Sequence, residues 1–336
     1  MKKILVGFDG SIDKIAHPVK EKKNDGSAVY FKTISDFSAY LSTTAHKSAE
    51  IEIDIKSIKL GGNAPIMANS IANLGNKVVC AATLGDISSP MYDEFKSNVE
   101  IINLGDVPEC TAFEFDDGKL MFSNLLPLNK LTYQNILTVV SKEKLLRLLS
   151  DSDLIALVDW SNGDNMTQLW QNILETIKST GHKPKLFFDF ADPYRRTQTE
   201  KQNVFAVIKA YTDVFETCLG MNLNEASHFA NALGIAATQP EQYASEIAHK
   251  MQATVVIHTA EGTYAANDTV KAYARVDIIK NPKALTGAGD HFNAGFCHAF
   301  VHEKTLQECI EFGNRNANFF IKNAFDATQE TIQTLM

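Results

Sequence analysis

From Gly61 to the C-terminus the chain alternates two patterns, and this alternation limits its folds more than any other feature. Short apolar or β-branched runs at Val78–Ala82, Leu154–Val158, Leu186–Phe190, Thr217–Gly220 and Thr254–His258 read as strands. Between them, apolar residues three and four apart predict helices over Ile66–Leu74, Lys142–Leu149, Met166–Ile177, Val204–Val214 and Glu225–Leu233. A strand that leads into a helix must cross over before the next strand, so neighbouring strands run parallel. Runs with little polar alternation are buried on both faces. The expected fold class is therefore α/β, with a mostly parallel sheet covered by helices on both sides.

The ends of the chain fill in this plan. Ile4–Val6 predicts a first strand, and two more strands fall between Thr263 and Val276. Helices are expected over Asp290–Val301 and Thr305–Lys322. Residues 14 to 56 read as polar and irregular, with a turn at Asn24-Asp25-Gly26 and a short helix carrying Phe37, Tyr40 and Leu41. Glu50–Leu60 alternates isoleucines with charges, as a half-exposed strand does. Thr111–Phe115 and Lys119–Ser123 flank Asp116-Asp117-Gly118, a hairpin signal.

A formal net charge of -8 disfavours nucleic-acid and membrane-surface partners. The apolar run after Lys2-Lys3 stops at Gly7 and Asp9, too soon for a signal peptide. No apolar stretch is long enough to span a bilayer. The five cysteines are scattered and form no C-x-x-C, which points to reduced thiols in a cytoplasmic protein.

The chemistry concentrates at Thr286-Gly287-Ala288-Gly289-Asp290, which opens the penultimate helix. Glycines at a helix start let backbone approach a ligand, and the free N–H groups of the first turn favour an anion. A carboxylate at the same corner can take a proton from an alcohol, so the group suits phosphoryl transfer. The alternative is a helix cap behind a glycine turn. The chain has no G-x-x-x-x-G-K-[ST] P-loop, and Phe292 occupies the third-glycine position of a dinucleotide fingerprint. His302-Glu303 starts like a zinc-protease motif, but Leu306 stands where the second histidine belongs. His258 and His291 read as packed or exposed side chains.

At this loop the sequence resembles the ribokinase-like, or PfkB, carbohydrate kinases. Gly287–Asp290 matches their G-A-G-D, and Asp290 and Phe292 supply the Asp-x-Phe that follows. Gly61-Gly62-Asn63 through Leu74-Gly75, then Thr83-Leu84-Gly85-Asp86, resembles their N-terminal motif. Asn222-Leu223-Asn224-Glu225 matches N-x-x-E, and His258-Thr259-Ala260-Glu261-Gly262 resembles their nucleotide-lining turn. These stations occur in family order across almost the whole chain.

The resemblance implies a three-layer α/β/α ribokinase-like fold in a single domain over residues 1–336. Lid segments at 14–60 and 108–125 would form a small β lid. It implies ATP and Mg²⁺ as cofactors and a small sugar as acceptor, with a nucleoside as the alternative. Asp290 would be the base, and the amides of Gly287, Ala288 and Gly289 the anion hole. Asn222 and Glu225 would organise Mg²⁺ through water, although this pair also reads as a capping box. Thr259, Glu261 and Gly262 would flank the nucleotide. Asp13, Gly61, Gly62 and Asn63 would bind the acceptor, although Asp13 also reads as a turn residue. The resemblance also implies a homodimer paired through the lid.

The sequence departs from the family at three positions. Ala284 and Leu285 precede the loop where the family often helps bind a monovalent cation, which leaves potassium activation open. Ile66 stands at a family asparagine position. These departures also keep open an ATP-binding protein without turnover. Arg195 and Arg196, after Asp189, read either as phosphate ligands or as surface ion pairs.

Overall fold

The computed structural model describes residues 1–334. Fourteen strands form two sheets. In chain order the strands are β1 (Lys3–Phe8), β2 (Ser11–Lys22), β3 (Ala28–Tyr30), β4 (Ile53–Gly61), β5 (Lys77–Ala82), β6 (Glu100–Asn103) and β7 (Glu109–Phe115). They continue with β8 (Gly118–Asn124), β9 (Leu154–Leu157), β10 (Lys185–Asp189), β11 (Thr217–Asn222), β12 (Thr254–His258), β13 (Gly262–Ala266) and β14 (Lys271–Arg275).

The large sheet has the order β14-β13-β12-β11-β10-β9-β1-β5-β6. Its strands are parallel from β6 to β12, and β13 and β14 run antiparallel at one edge. β1 lies near the middle, with β5 and β6 on one side and β9 to β12 on the other. The chain thus changes its winding direction at β1. Open α/β sheets offer a ligand crevice at such a switch point, outside the C-terminal strand ends.

Helices cover both faces. Against one face, helix Met166–Thr180 buries Met166, Leu169, Trp170, Ile173, Leu174 and Ile177 at the spacing of a single stripe. It stops at Gly181, which takes φ 71° at the helix C-terminus. Trp160, Trp170, Phe188, Phe190, Phe205 and Phe229 fill the core on this side. Against the other face lie helices Asn63–Asn73, Ala288–Val301 and Leu306–Asn323. The last two cross closely at glycine: a Cβ on Gly295 would come within 2.8 Å of the Asn316 Cβ and 3.0 Å of the Gly313 Cα.

The small sheet corrects one expectation. Where residues 14–56 were expected to be irregular, β2 runs on to Lys22 and β3 follows, whereas helix Ile34–Thr43 and β4 agree with the helix at Phe37 and the strand expected over Glu50–Leu60. β2 pairs with β4 antiparallel and with β7 parallel, while β7 and β8 form the hairpin. Phe37 from the short helix packs between Phe31, Phe113 and Phe115. The aromatic side chains of this sheet mostly form its own core. Helix Pro240–Met251 was also absent from the sequence reading.

Candidate active site

Several C-terminal strand ends of the large sheet present a polar side chain to one region. β1 runs into Asp9, β9 leads to Asp159, β10 ends in Asp189, and β11 ends in Asn222. Asp9, Asp159 and Asp189 are all buried, at 2%, 3% and 5% exposure. Buried carboxylates are costly unless hydrogen bonds satisfy them, and each of these has such bonds. Asp9 accepts the amides of Asn63 at 2.6 Å and Ala64 at 2.8 Å, so it caps helix Asn63–Asn73 from the end of β1. Asp189 accepts from Asn63 Nδ2 at 3.2 Å and Asn293 Nδ2 at 2.8 Å, which ties that helix to helix Ala288–Val301. Asp159 accepts from Asn162 Nδ2 at 2.7 Å, and burial, with Asp9 beside it, pushes its carboxyl well above the usual range.

Gly62 makes the first of these caps possible. It takes φ 90°, and a Cβ there would lie 2.6 Å from the Gly10 Cα and 2.8 Å from the Asp9 carboxylate. Only glycine lets the helix start come this close. Gly61 packs similarly on the Asp13 carboxylate. Asp13 is a buried strand residue of β2, not a turn residue, and accepts from Ser11 Oγ at 2.8 Å.

Between the two sheets lies a cleft of about 720 Å³. Asp9, Asp13, Gly62, Asn63, Asp159, Thr286 and Asp290 line it, together with Phe122 of the small sheet and Arg195. Gly287 takes φ 94° as the residue before helix Ala288–Val301. Among the described residues the amides of Gly287, Gly289 and Asp290 have no hydrogen-bond partner. The Ala288 amide is not free as expected. It donates to the Leu285 carbonyl at 3.1 Å, so Asp290 replaces Ala288 as a free donor.

The remaining predicted residues stand further along the same sheet edge and do not line this cleft. Asn222 and Glu225 form the full capping box of helix Leu223–Ala232. Thr259 closes the β12–β13 turn by accepting the amides of Glu261 and Gly262. Arg196 is locked among Ser161, Gly163 and Glu200, with its guanidinium over Trp160, whereas Arg195 donates to Asn162 at the cleft. Ile66 lines the cleft and lies against Gly287.

Asp9 and Asp159 of the cleft, and Lys119 bonded to its Thr286, escaped the sequence reading. Asp9 and Asp159 carry a visible signal, since an acid terminates an apolar strand there, as Asp189 does at β10. Lys119 carries none. It sits on β8 and donates to the Thr286 hydroxyl at 2.6 Å, which ties the small sheet to the glycine loop.

Burial and mutual repulsion dominate the electrostatics. Burial pushes the Asp290 carboxyl well above the usual range, and Asp189, Asp9, Asp159 and Glu225 push it further. Burial, with Asp189 beside it, pushes Glu225 up to about 8. Burial raises Asp9 to about 6 and holds the Lys119 ammonium below its ordinary value. A cluster of this kind holds protons until cations or substrate relieve it.

The comparisons with known proteins identify the setting. The model of the prokaryotic ketohexokinase family matches residues 1–336. The chain belongs to this family. It is 23% identical over 337 residues to a ketohexokinase of Haloferax volcanii, covering 98% of this chain and 90% of that one. An adenosine kinase 1 of Arabidopsis thaliana is 29% identical over 133 residues, 35% of this chain and 39% of its own. Among solved structures, adenosine kinase from Sinorhizobium meliloti superposes with TM-score 0.70 at 14% identity, covering 99% of this chain and 98% of that one. Ribokinase from Thermotoga maritima superposes with TM-score 0.66 at 15% identity over the same shares. The fold is thus ribokinase-like and the chain is a carbohydrate kinase that uses ATP. No helix among the described residues is long and apolar enough to cross a membrane.

The raised Glu225 carboxyl has a consequence for stability. Its ordinary value is 4.5 and its folded value is about 8, so the folded state holds the proton more tightly. Its contribution is complete below the ordinary value and is lost as pH rises through the folded one. In the ligand-free protein, Glu225→Gln should therefore lose less thermal stability than the parent between pH 5 and pH 9. Melting curves across that range check this, and parallel curves would contradict it.

Proposed function

We propose that this protein transfers the terminal phosphoryl group of ATP to a hydroxyl of a neutral ketohexose, with Asp290 as base. The observation that carries the reading is the meeting of Asp290 with three free amides at a helix N-terminus, on the wall of a cleft floored by carboxylates. The reading treats residues 1–336 as one kinase domain with the small sheet as its lid.

Neutrality of the acceptor follows from charge. Asp9, Asp13 and Asp159 line the cleft against a single lining cation, Arg195, which donates to Asn162 beside Asp159. A phosphorylated sugar would be repelled there, while hydroxyls can donate to the carboxylates. Asp13, Gly61, Gly62 and Asn63 belong to this acceptor floor. Of the three hairpin phenylalanines only Phe122 lines the cleft, and Tyr194 is the other aromatic side chain on its wall. The family match and the Haloferax volcanii relative point to a ketohexose.

In the transfer step the Asp290 carboxylate takes the proton of the acceptor hydroxyl. The amides of Gly287, Gly289 and Asp290 stabilise charge on the transferring phosphoryl. The Lys119 ammonium, held at Thr286, adds a cation from the lid. Lid closure keeps water from competing as acceptor. Glu225, Asn222 and the neighbouring Asp189 offer the hard oxygen atoms that Mg²⁺ takes. Mg²⁺ supplies charge neutralisation on the phosphates. Thr259, Glu261 and Gly262 lie at the turn next to β11, where a nucleotide would lie beside the glycine loop. β4 is an outer strand with Ile53, Ile55 and Ile58 exposed, which supports a homodimer through the lid.

Asp290→Asn should retain ATP binding and lose kcat by about 10²–10⁴-fold, the usual worth of a positioned base. Calorimetric ATP binding with steady-state ADP release checks both parts, and near-normal turnover would remove Asp290 from this role. Lys119→Met should lower kcat by roughly 10²-fold, with Lys119→Arg restoring part of it. An unchanged kcat in Lys119→Met would reduce Lys119 to a lid contact.

A further inference from the structure

His291 follows the candidate base directly and is buried at 2% exposure. Both of its ring nitrogens meet an acceptor. Nδ1 lies 2.7 Å from the carbonyl oxygen of Gly287, and Nε2 lies 3.0 Å from Asp326 Oδ1. A carbonyl oxygen accepts only, and so does an ionised carboxylate. With Asp326 ionised, both nitrogens must carry a hydrogen, and the ring is an imidazolium.

The surroundings hold this ring in one place. It stacks on Phe320 with centroids 3.7 Å apart and planes 14° from parallel. Asp326 is fixed in turn by Asn69 Nδ2 at 2.8 Å, from the helix that Asp9 caps. Asn316 Nδ2 donates to the His291 carbonyl at 2.7 Å. The ring therefore connects the glycine loop, the acceptor helix and the segment after helix Leu306–Asn323. A second cavity of about 320 Å³ adjoins it, and Asp13, Lys59, Glu94 and Lys283 are the other charged groups on its walls.

We propose that His291 is a positioning residue for phosphoryl transfer: its ring, paired with Asp326, clamps the Gly287 carbonyl and places a fixed cation behind the free amides of the loop. Resting on the transfer reading given above, the role is specific. The Gly287 carbonyl accepts the His291 amide at 3.0 Å, and the ring adds a second bond from the same residue, which fixes the turn whose N–H groups remain free for an anion. Its charge is already in place before phosphoryl charge develops, so it needs no reorganisation during transfer. No other imidazole touches this loop from within its own helix: His298 bonds Asn76 at the far end.

The test combines two variants with a measurement on the parent enzyme. His291→Phe keeps the stack on Phe320 and removes both hydrogen bonds. It should lower kcat roughly tenfold or more, with the KM for sugar and for ATP within about twofold. Asp326→Asn keeps a polar partner without the charge and should give a smaller loss of kcat. Nitrogen-15 spectra of the ring in the parent enzyme at neutral pH should show both nitrogens protonated. A folded His291→Phe with parental kcat, changed only in melting temperature, would reduce the ring to packing. A single protonated nitrogen in the parent, or an unchanged kcat in Asp326→Asn, would remove the fixed cation. These outcomes are separable from failure of the transfer reading, which Asp290→Asn reports and the spectra do not touch.

Discussion

The site depends on one carboxylate used as a helix cap. Asp9 leaves the centre of the large sheet and accepts the first two amides of helix Asn63–Asn73. Sheet and helix are thereby fixed to one another at the point where the winding direction changes. The cap requires glycine at Gly62, because the approach leaves no space for a Cβ. It also sets the position of Asn63, which reaches Asp189, and Asp189 reaches Asn293 on the helix that begins with the glycine loop. The starts of helices Asn63–Asn73 and Ala288–Val301 are therefore registered by a short run of hydrogen bonds from strand end to helix start. Strand ends in a packed parallel sheet move little, so the reacting groups can be preorganised.

The same arrangement concentrates like charge. Burial raises the proton affinity of Asp9, Asp159, Asp189, Glu225 and Asp290, and the other four carboxyls push Asp290 further. Without ligand, the cheapest solution is to keep protons. In the proposed reaction, cationic charge brought in with the nucleotide changes that balance and frees Asp290 to act as a base. Lys119 from the small sheet reaches Thr286 and the His291 ring meets the Gly287 carbonyl, so two elements of the fold bond the glycine loop from different sides.

The layers of this fold were legible because each buried strand is a compact apolar run and each helix shows a stripe. The small sheet was less so. Ser11–Lys22 mixes charges and Pro18 with its apolar residues, since one face meets solvent and its partners are distant: Ile12 pairs with both Leu60 and Glu109. Gly287–Asp290 was legible because glycines and an acid must be contiguous to build such a corner. Asp9 and Asp159 were not, because strand ends some 150 residues apart meet only in the folded sheet. The acid that terminates each apolar run was the available signal. The amide of Ala288 illustrates a finer limit: which N–H groups stay free depends on the turn's dihedral angles, and Leu285 captures one of them. His291 reads as a packed residue and is packed, but its two acceptors exist only after the chain has brought Asp326 back beside the loop.

The central claim is that a carboxylate-floored cleft receives a neutral sugar for phosphorylation at Asp290. The most direct measurement is ADP release with Mg²⁺ and ATP across matched panels of ketohexoses, aldoses, sugar phosphates and nucleosides. The account predicts turnover with neutral ketohexoses and little with their phosphorylated counterparts or with nucleosides. Preferential turnover of a sugar phosphate or a nucleoside would contradict it.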